Sequence, residues 1–230
     1  MQSRSVVVTG ASGYMASRLI PLLLARGHRV RGVVREGSQG KLPSGCEAVV
    51  ANVLDGDTWG NHLRPSDTLV HLVGVPHPSP AKARQFVEVD LRSAKEAARV
   101  SAKAGIEHFI YVSVAHPAPA MKAYIEVRTA CEEAVRETGL NATILRPWYV
   151  LGPGHRWPAA LIPFYKLAEL IPATAEGARR LGLVKLDEMT AALTSAVEHP
   201  AQGTRVVEVP AIREAARMLQ SPLGAFPAGR

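Results

Sequence analysis

Gly10 and Gly13 carry the most direct chemical signal in this chain, set in the run Val6-Val7-Val8-Thr9-Gly10-Ala11-Ser12-Gly13-Tyr14-Met15-Ala16. An apolar strand that ends in glycine can turn tightly, because glycine adopts backbone angles closed to other residues. A second glycine three residues on leaves bare backbone where a large anion can approach. A helix opening at about Gly13 then points free N–H groups and a partial positive charge at that anion. The pattern predicts pyrophosphate binding by Gly10, Ser12, Gly13, Tyr14 and Met15. A lone Gly-x-x-Gly has little weight, but this one follows the first strand and opens a strand-helix-strand unit. A glycine turn that merely connects two elements is the alternative at this point.

Hydrophobic periodicity supplies the elements that must position such a turn. Met15, Leu19, Leu22 and Leu23 recur at helical spacing, with Pro21 expected to kink the helix or delay its start and Gly27 to end it. Strands are expected at Val30–Arg35, Glu47–Val53, Leu69–Val73, Phe109–Val112 and Ala142–Leu145. Helices are expected at Phe86–Lys103 and Tyr124–Thr138, and a short helix or loop at residues 54–65. After Pro147 prolines and glycines crowd the chain through Pro172. Beyond lie an expected helix at Asp187–Glu198, a strand at Val206–Val209, a helix at Ile212–Leu219 and a loose tail after Ser221. Apolar strands alternating with helices predict an α/β fold, a doubly wound parallel sheet with helices on both faces. One domain over 1–230 is expected, its core at 5–150 and a small C-terminal substrate-side lobe built mainly from 151–190 and 211–230.

Composition narrows the class. Of 230 residues 47% are hydrophobic and 20% charged, which is globular and argues against disorder. No apolar run approaches the ~18 residues that cross a bilayer, and Val6-Val7-Val8 is too short for a leader, so a cytoplasmic protein without membrane insertion is expected. Cys46 and Cys131 form no disulfide framework, and His28, His62, His71, His77, His108 and His199 lack ligand spacing, so no metal is expected. The net charge of +7 raises nucleic acid as a partner. The cations are scattered without interleaved aromatics, however, and an anionic cofactor or substrate accounts for part of the excess.

Thr9-Gly10-Ala11-Ser12-Gly13-Tyr14-Met15-Ala16 resembles the opening fingerprint of the atypical and extended short-chain dehydrogenases/reductases, which include NmrA-like and NAD(P)H-binding proteins. Ala16 stands where that family usually has a third glycine. Asp67-Thr68-Leu69-Val70-His71-Leu72-Val73-Gly74 is similar to its fourth strand. The stretch Ala104-Gly105-Ile106-Glu107-His108-Phe109-Ile110-Tyr111-Val112-Ser113 is similar to the approach to its fifth, and Ile144-Leu145-Arg146-Pro147 to its sixth. The match spans roughly residues 5 to 155 and is fainter to about 210. The resemblance implies a Rossmann-type sheet, with Leu72, Val73 and Gly74 beside the adenine ribose and Pro147 near the nicotinamide end. At the end of the second strand a carboxylate would bind the free ribose hydroxyl of NAD, whereas an arginine can take the extra phosphate of NADP. Arg35 stands there, with Arg31 nearby and Glu36 next, so NADP is favoured and NAD stays possible. Asn52 and Val53 are placed at the adenine edge.

Members of this family that do redox chemistry pair a tyrosine with a lysine four residues on. Here the pair reads Tyr124 and Arg128, which also extends cofactor contact to these residues. Arginine keeps a positive charge near the phenol but is no substitute for a compact ammonium. Ser113 stands at the end of the fifth strand, where relatives place a serine or threonine; a doubled-serine register would instead put Val114 at the catalytic position. Trp148, Tyr149, His155, Arg156 and Trp157 follow the sixth strand and suit a planar or anionic small molecule. The leading reading is an NADP(H)-dependent oxidoreductase acting on a small carbonyl or quinone-like substrate, with Tyr124, Arg128 and Ser113 as its catalytic set. A non-catalytic NADP(H)-binding redox sensor or assembly protein is the alternative. A sugar-nucleotide epimerase or dehydratase is disfavoured by the short segment between Ser113 and Tyr124 and by the small C-terminal region.

Overall fold

The structure, a computed structural model, describes residues 3–65, 67–118, 121–153 and 181–220. Nine strands are described: β1 Ser5–Thr9, β2 Arg29–Val34, β3 Cys46–Val50, β4 Asp67–His71, β5 His108–Val112, β6 Ala142–Arg146, β7 Tyr149–Leu151, β8 Leu183–Lys185 and β9 Thr204–Glu208. The longer helices are α1 Ala16–Ala25, α2 Arg92–Ala104, α3 Lys122–Glu137, α4 Leu186–Glu198 and α5 Val209–Gln220. Seven strands form one sheet in the order β3-β2-β1-β4-β5-β6-β9. All its pairings are parallel, so every strand ends at the same edge. The chain winds outward from β1 to β3 and then returns to β4 on the other side of β1. The crevice between the ends of β1 and β4 is therefore the switch point where such sheets bind ligands.

Both faces of the central strands β1, β4, β5 and β6 are covered, and these strands are buried almost throughout, whereas the edge strands β3 and β9 are largely exposed. In β1, Val6 and Val8 join a cluster with Leu19, Ile20 and Leu23 of α1 and Met189 and Leu193 of α4. Val7 between them faces the opposite cluster, with Ala97 and Ala98 of α2 and Cys131 and Val135 of α3. This alternation is what sandwiches the sheet between two helical layers. No helix among the described residues is long and apolar enough to cross a membrane.

The α/β parallel-sheet expectation holds, and the departures are local. Helix α1 begins at Ala16 and runs through Pro21. Its start is therefore not delayed: Pro21 lies one turn in, where losing its N–H costs a single intrahelical bond. The expected single helix from Phe86 begins earlier, with a helical turn at Ala83–Gln85, and widens into a π-helical turn, Phe86–Leu91, that runs into α2. The widened turn puts both Phe86 and Asp90 inside the protein. Periodicity also missed β7 and β8, which pair in parallel as a separate two-stranded sheet. At three residues each they are too short to show a period. Most of the expected substrate-side lobe, including His155, Arg156 and Trp157, and the expected loose tail lie outside the described residues.

Two histidines are buried within the sheet. Burial, with Arg128 nearby, lowers the His71 imidazole to about 3. Burial, helped by Arg205 and Arg4, lowers that of His108 to about 4. Both are neutral in the folded protein at pH 7, whereas an unfolded chain protonates its histidines near about 6.5. Between those values the unfolded state binds more protons, so stability falls as pH is lowered. We expect the melting temperature to decline from about pH 6.5 to about 4.5, and His108→Gln to make that decline shallower, as read by circular dichroism across the series.

Candidate functional site

At the end of β1 the chain turns through Gly10, which has φ +68°. Its Cα faces the backbone of Leu72 and Val73 so closely that a Cβ would lie 3.2 Å from the Leu72 carbonyl carbon and the Val73 nitrogen. Only glycine satisfies both the angle and the space. The Gly13 N–H closes the turn on the Gly10 carbonyl at 2.9 Å. The Gly13 carbonyl then accepts from Ser17 at 3.0 Å, and α1 begins with no acidic side chain in its first turn. Among the described residues no protein acceptor takes the backbone N–H of Ser12 or Met15. Exposed donors at a helix N-terminus without a competing carboxylate form a site for an anion. Tyr14 projects from the same turn toward Gly152, whose Cβ, were it present, would collide with the Tyr14 hydroxyl.

The other sequence-predicted cofactor residues gather at the same edge. Leu72, Val73 and Gly74 follow β4, and the Leu72 N–H donates to the Thr9 carbonyl at 3.3 Å. Arg35 lies exposed immediately after β2. Its side chain makes no hydrogen bond or ion pair among the described residues, so its guanidinium is available. Arg31 is not: it grips the buried Asp67 carboxylate, with 2.7 Å from Nη2 to each oxygen. Asn52 accepts from the Leu54 N–H at 3.1 Å and keeps its amide N–H₂ group exposed. Pro147 is buried after β6 and accepts from the Ala115 N–H at 2.9 Å.

Tyr124 and Arg128 lie on successive turns of α3, and Arg128 is only 6% exposed. Its Nη1 donates to the Val112 carbonyl at 2.9 Å and the Tyr111 hydroxyl at 3.1 Å, and its Nη2 to Asp90 Oδ1 at 2.6 Å. Gly74 packs on the same group, where a Cβ would come to 2.5 Å from Arg128 Nη2. The guanidinium carbon lies 5.0 Å from the centre of the Tyr124 ring and 5.8 Å from that of Tyr111. Tyr124 also packs on Phe86 with ring centres 4.9 Å apart, and it stays partly open to solvent. Burial pushes the Tyr124 phenol above its ordinary range, Arg128 pulls it down and Asp90 pushes it up again. Desolvation opposes the Arg128 charge, but Tyr111, Tyr124 and Asp90 outweigh it and hold the group protonated.

Ser113 departs from the role expected of it. Its hydroxyl donates to Glu132 Oε1 at 2.6 Å, so it has no hydrogen left for a substrate carbonyl. Glu132 also takes both Nε and Nη2 of Arg146, at 2.9 and 2.6 Å, and Nη2 of Arg136 at 2.8 Å. Burial alone would raise its carboxyl, but the hydrogen bonds from Arg146 and Ser113 bring it below the ordinary carboxylate range. Val114, the alternative position, is buried and apolar. Trp148 and Tyr149 meet edge-to-face at 5.5 Å beside the strand end. Among the described residues no cluster of His, Cys, Asp or Glu could hold a metal.

Asp90 and Glu132 were not expected at the site. Each carried a legible signal: a carboxylate at helical spacing with buried apolar residues, Phe86 and Ala94 for Asp90, Val135 for Glu132. A charge on an apolar face implies a buried partner.

With this geometry in place, the class is defined by a family model for NAD(P)H-binding proteins that matches residues 10–155. The chain belongs to that NAD(P)H-binding family. It is 25% identical over 216 residues to a ceramide reductase of Caulobacter vibrioides, covering 90% of this chain and 65% of that protein. It is 25% identical over 149 residues to the photosystem II assembly factor Ycf39 of Cyanophora paradoxa, covering 62% of this chain and 44% of that one. The chain thus spans less than two thirds of the length of these curated relatives. The crystal structure of the Bordetella bronchiseptica enzyme WbmH with NAD+ superposes with a TM-score of 0.67 at 20% identity, covering 97% of this chain and 84% of that one. That likeness establishes the Rossmann-type fold.

Gly10→Ala forces a left-handed residue against the β4 backbone. We expect it to lower stability by about 1–3 kcal/mol and to weaken dinucleotide binding at least tenfold, read by urea denaturation and by NADPH fluorescence titration.

Proposed function

We propose that this chain is an NADP(H)-dependent oxidoreductase acting on a small carbonyl or quinone-like substrate. One observation carries the reading: a partly exposed tyrosine, Tyr124, lies against a buried cation at the strand edge that also bears the anion-binding turn. The bare turn fits a dinucleotide, with the N–H groups of Ser12 and Met15 toward the pyrophosphate and Asn52 and Val53 at the adenine edge. Leu72, Val73 and Gly74 line the ribose side, and Pro147 bounds the far end. When bound, the reduced nicotinamide supplies a hydride.

The chain's own residues contribute position and a proton. Tyr124 donates its hydroxyl proton to the substrate oxygen, a role that suits a phenol whose proton is held firmly. Arg128 steadies the phenol electrostatically, while its Nη donors stay committed to Asp90, Tyr111 and Val112. Ser113 supports the end of β5 through Glu132 and gives nothing to the substrate. Arg35, exposed and without a side-chain partner among the described residues, favours NADP over NAD because a guanidinium matches a phosphate bidentately.

A second reading, a non-catalytic NADP(H)-binding sensor or assembly protein, is favoured by the committed hydrogens of Ser113 and Arg128. Neither commitment harms cofactor binding, and one relative is an assembly factor by name. The two readings part on turnover. With a panel of aldehydes, ketones and quinones, we expect NADPH oxidation that Tyr124→Phe reduces by about 10²-fold or more while weakening NADPH binding by less than about tenfold. NADPH binding with no turnover across the panel selects the sensor reading. Arg35→Ala should weaken NADPH binding by about tenfold, worth roughly 1.4 kcal/mol, and leave NADH binding unaltered in parallel titrations.

A further inference from the structure

The π-helical turn before α2 delivers Asp90 into the interior with only 1% of its surface exposed. Its carboxylate meets Arg128 Nη2 at 2.6 Å and accepts from the Val75 N–H at 3.2 Å. Gly74, between these groups, leaves room for nothing larger than hydrogen against the pair. A guanidinium enclosed like this would otherwise impose an uncompensated positive field on Tyr124, whose ring centre is 5.0 Å away. In a medium of low dielectric such a field strongly favours phenolate over phenol. The Asp90 carboxylate, bonded to the same guanidinium, opposes that field.

We propose that Asp90 is a positioning residue for the Tyr124 proton. By holding Arg128 and offsetting its charge it limits how far the cation draws the phenol toward phenolate, which suits Tyr124 to giving a proton to a substrate oxygen. The inference rests on the oxidoreductase reading for its catalytic meaning. In that reaction the substrate carbon receives the hydride from NADPH and its oxygen receives the Tyr124 proton. NADP+ and an alcohol leave, and the resulting phenolate recovers a proton from solvent.

The groups bearing on Tyr124 come from every element packed around it. Arg128 and Cys131 face it from its own helix, and Asp90 from the π turn. On β5, Tyr111 bonds the far side of Arg128. On β4, His71 lies 6.0 Å from the Tyr111 ring and carries no charge near neutral pH. Asp90 is therefore the carboxylate set against the Arg128 cation in this group.

The test reads the phenol directly. The chain has five tyrosines, so protein carrying tyrosine ¹³C-labelled at Cζ gives a small set of signals, with Tyr124 assigned by its loss in Tyr124→Phe. In the full chain, with and without NADPH, the wild-type Tyr124 signal should titrate above the ordinary tyrosine value of about 10. Asp90→Asn keeps an acceptor for Arg128 but removes the negative charge, and should bring the titration down by about one pH unit or more. Arg128→Gln should move it the other way, and the double variant should lie between the two. An Asp90→Asn protein with a native circular dichroism spectrum and an unmoved or raised Tyr124 titration overturns the proposal. If Asp90→Asn does not fold, Arg128→Gln and the double variant decide it: equal titrations in those two overturn it, and a lower value in the double variant supports it. Shifts of the expected sign without turnover of any carbonyl retain the charge balance and discard the oxidoreductase reading instead.

Discussion

A guanidinium cannot be left alone in a protein interior, and much of the site follows from that constraint. Arg128 is always charged, and enclosing it demands a carboxylate and enough acceptors to replace water. Asp90, the Tyr111 hydroxyl and the Val112 carbonyl meet most of that demand. Satisfying it ties four pieces of chain together: the loop after β4, the π-helical turn, the end of β5 and α3. Removing one partner from such a pair costs about 3–5 kcal/mol, because the survivor stays buried and unpaired. The pair is thus weak evidence for stability and strong evidence that these elements hold one relative position.

Helix α3 repeats the device one turn later with the sign reversed. Glu132 follows Arg128 by one helical turn and reaches the next strand end, where it binds Ser113 after β5 and Arg146 of β6. A positive residue thus fastens the helix to β5 and a negative one fastens it toward β6. Arg146 goes on to Glu208 of β9 at 3.2 Å, so the ladder continues to the sheet's edge. The ends of β5, β6 and β9 are held by charge, in contrast to the turn after β1, which is held by bare backbone at Gly10 packed on Leu72 and Val73. Free N–H donors at the turn suit an anion, and the paired charges beside α3 govern the field at the Tyr124 phenol.

The sheet and its cofactor edge were largely legible from the sequence, because their signals are local. Val6-Val7-Val8 followed by Gly10 and Gly13 dictates strand, turn and helix within a dozen residues. The charged network was not, since Asp90 and Arg128 are separated by 38 positions and Glu132 and Arg146 by 14. Only the fold brings them together. Ser113 shows the same limit from the other side. Its place at the end of β5 was correct, but the fate of its proton depended on a carboxylate 19 residues away. Short β7 and β8 escaped because three residues hold no period, and Arg31, which looked like a neighbour for a cofactor phosphate, was already committed to Asp67.

The replacement of a lysine by an arginine therefore does not stand alone. An ammonium at position 128 would be a compact charge with three rotatable donors, free to serve both the phenol and a ribose. The planar fork found here spends its two Nη groups on fixed partners, and the buried Nε has no partner among the described residues. A fork so engaged cannot swing toward a ligand without stranding the Asp90 carboxylate in the interior. The arginine acts as a static charge, and the carboxylate beside it sets how much of that charge Tyr124 feels. Neither group can turn to a ligand without leaving the other buried and unpaired, so together they set the field at the Tyr124 phenol.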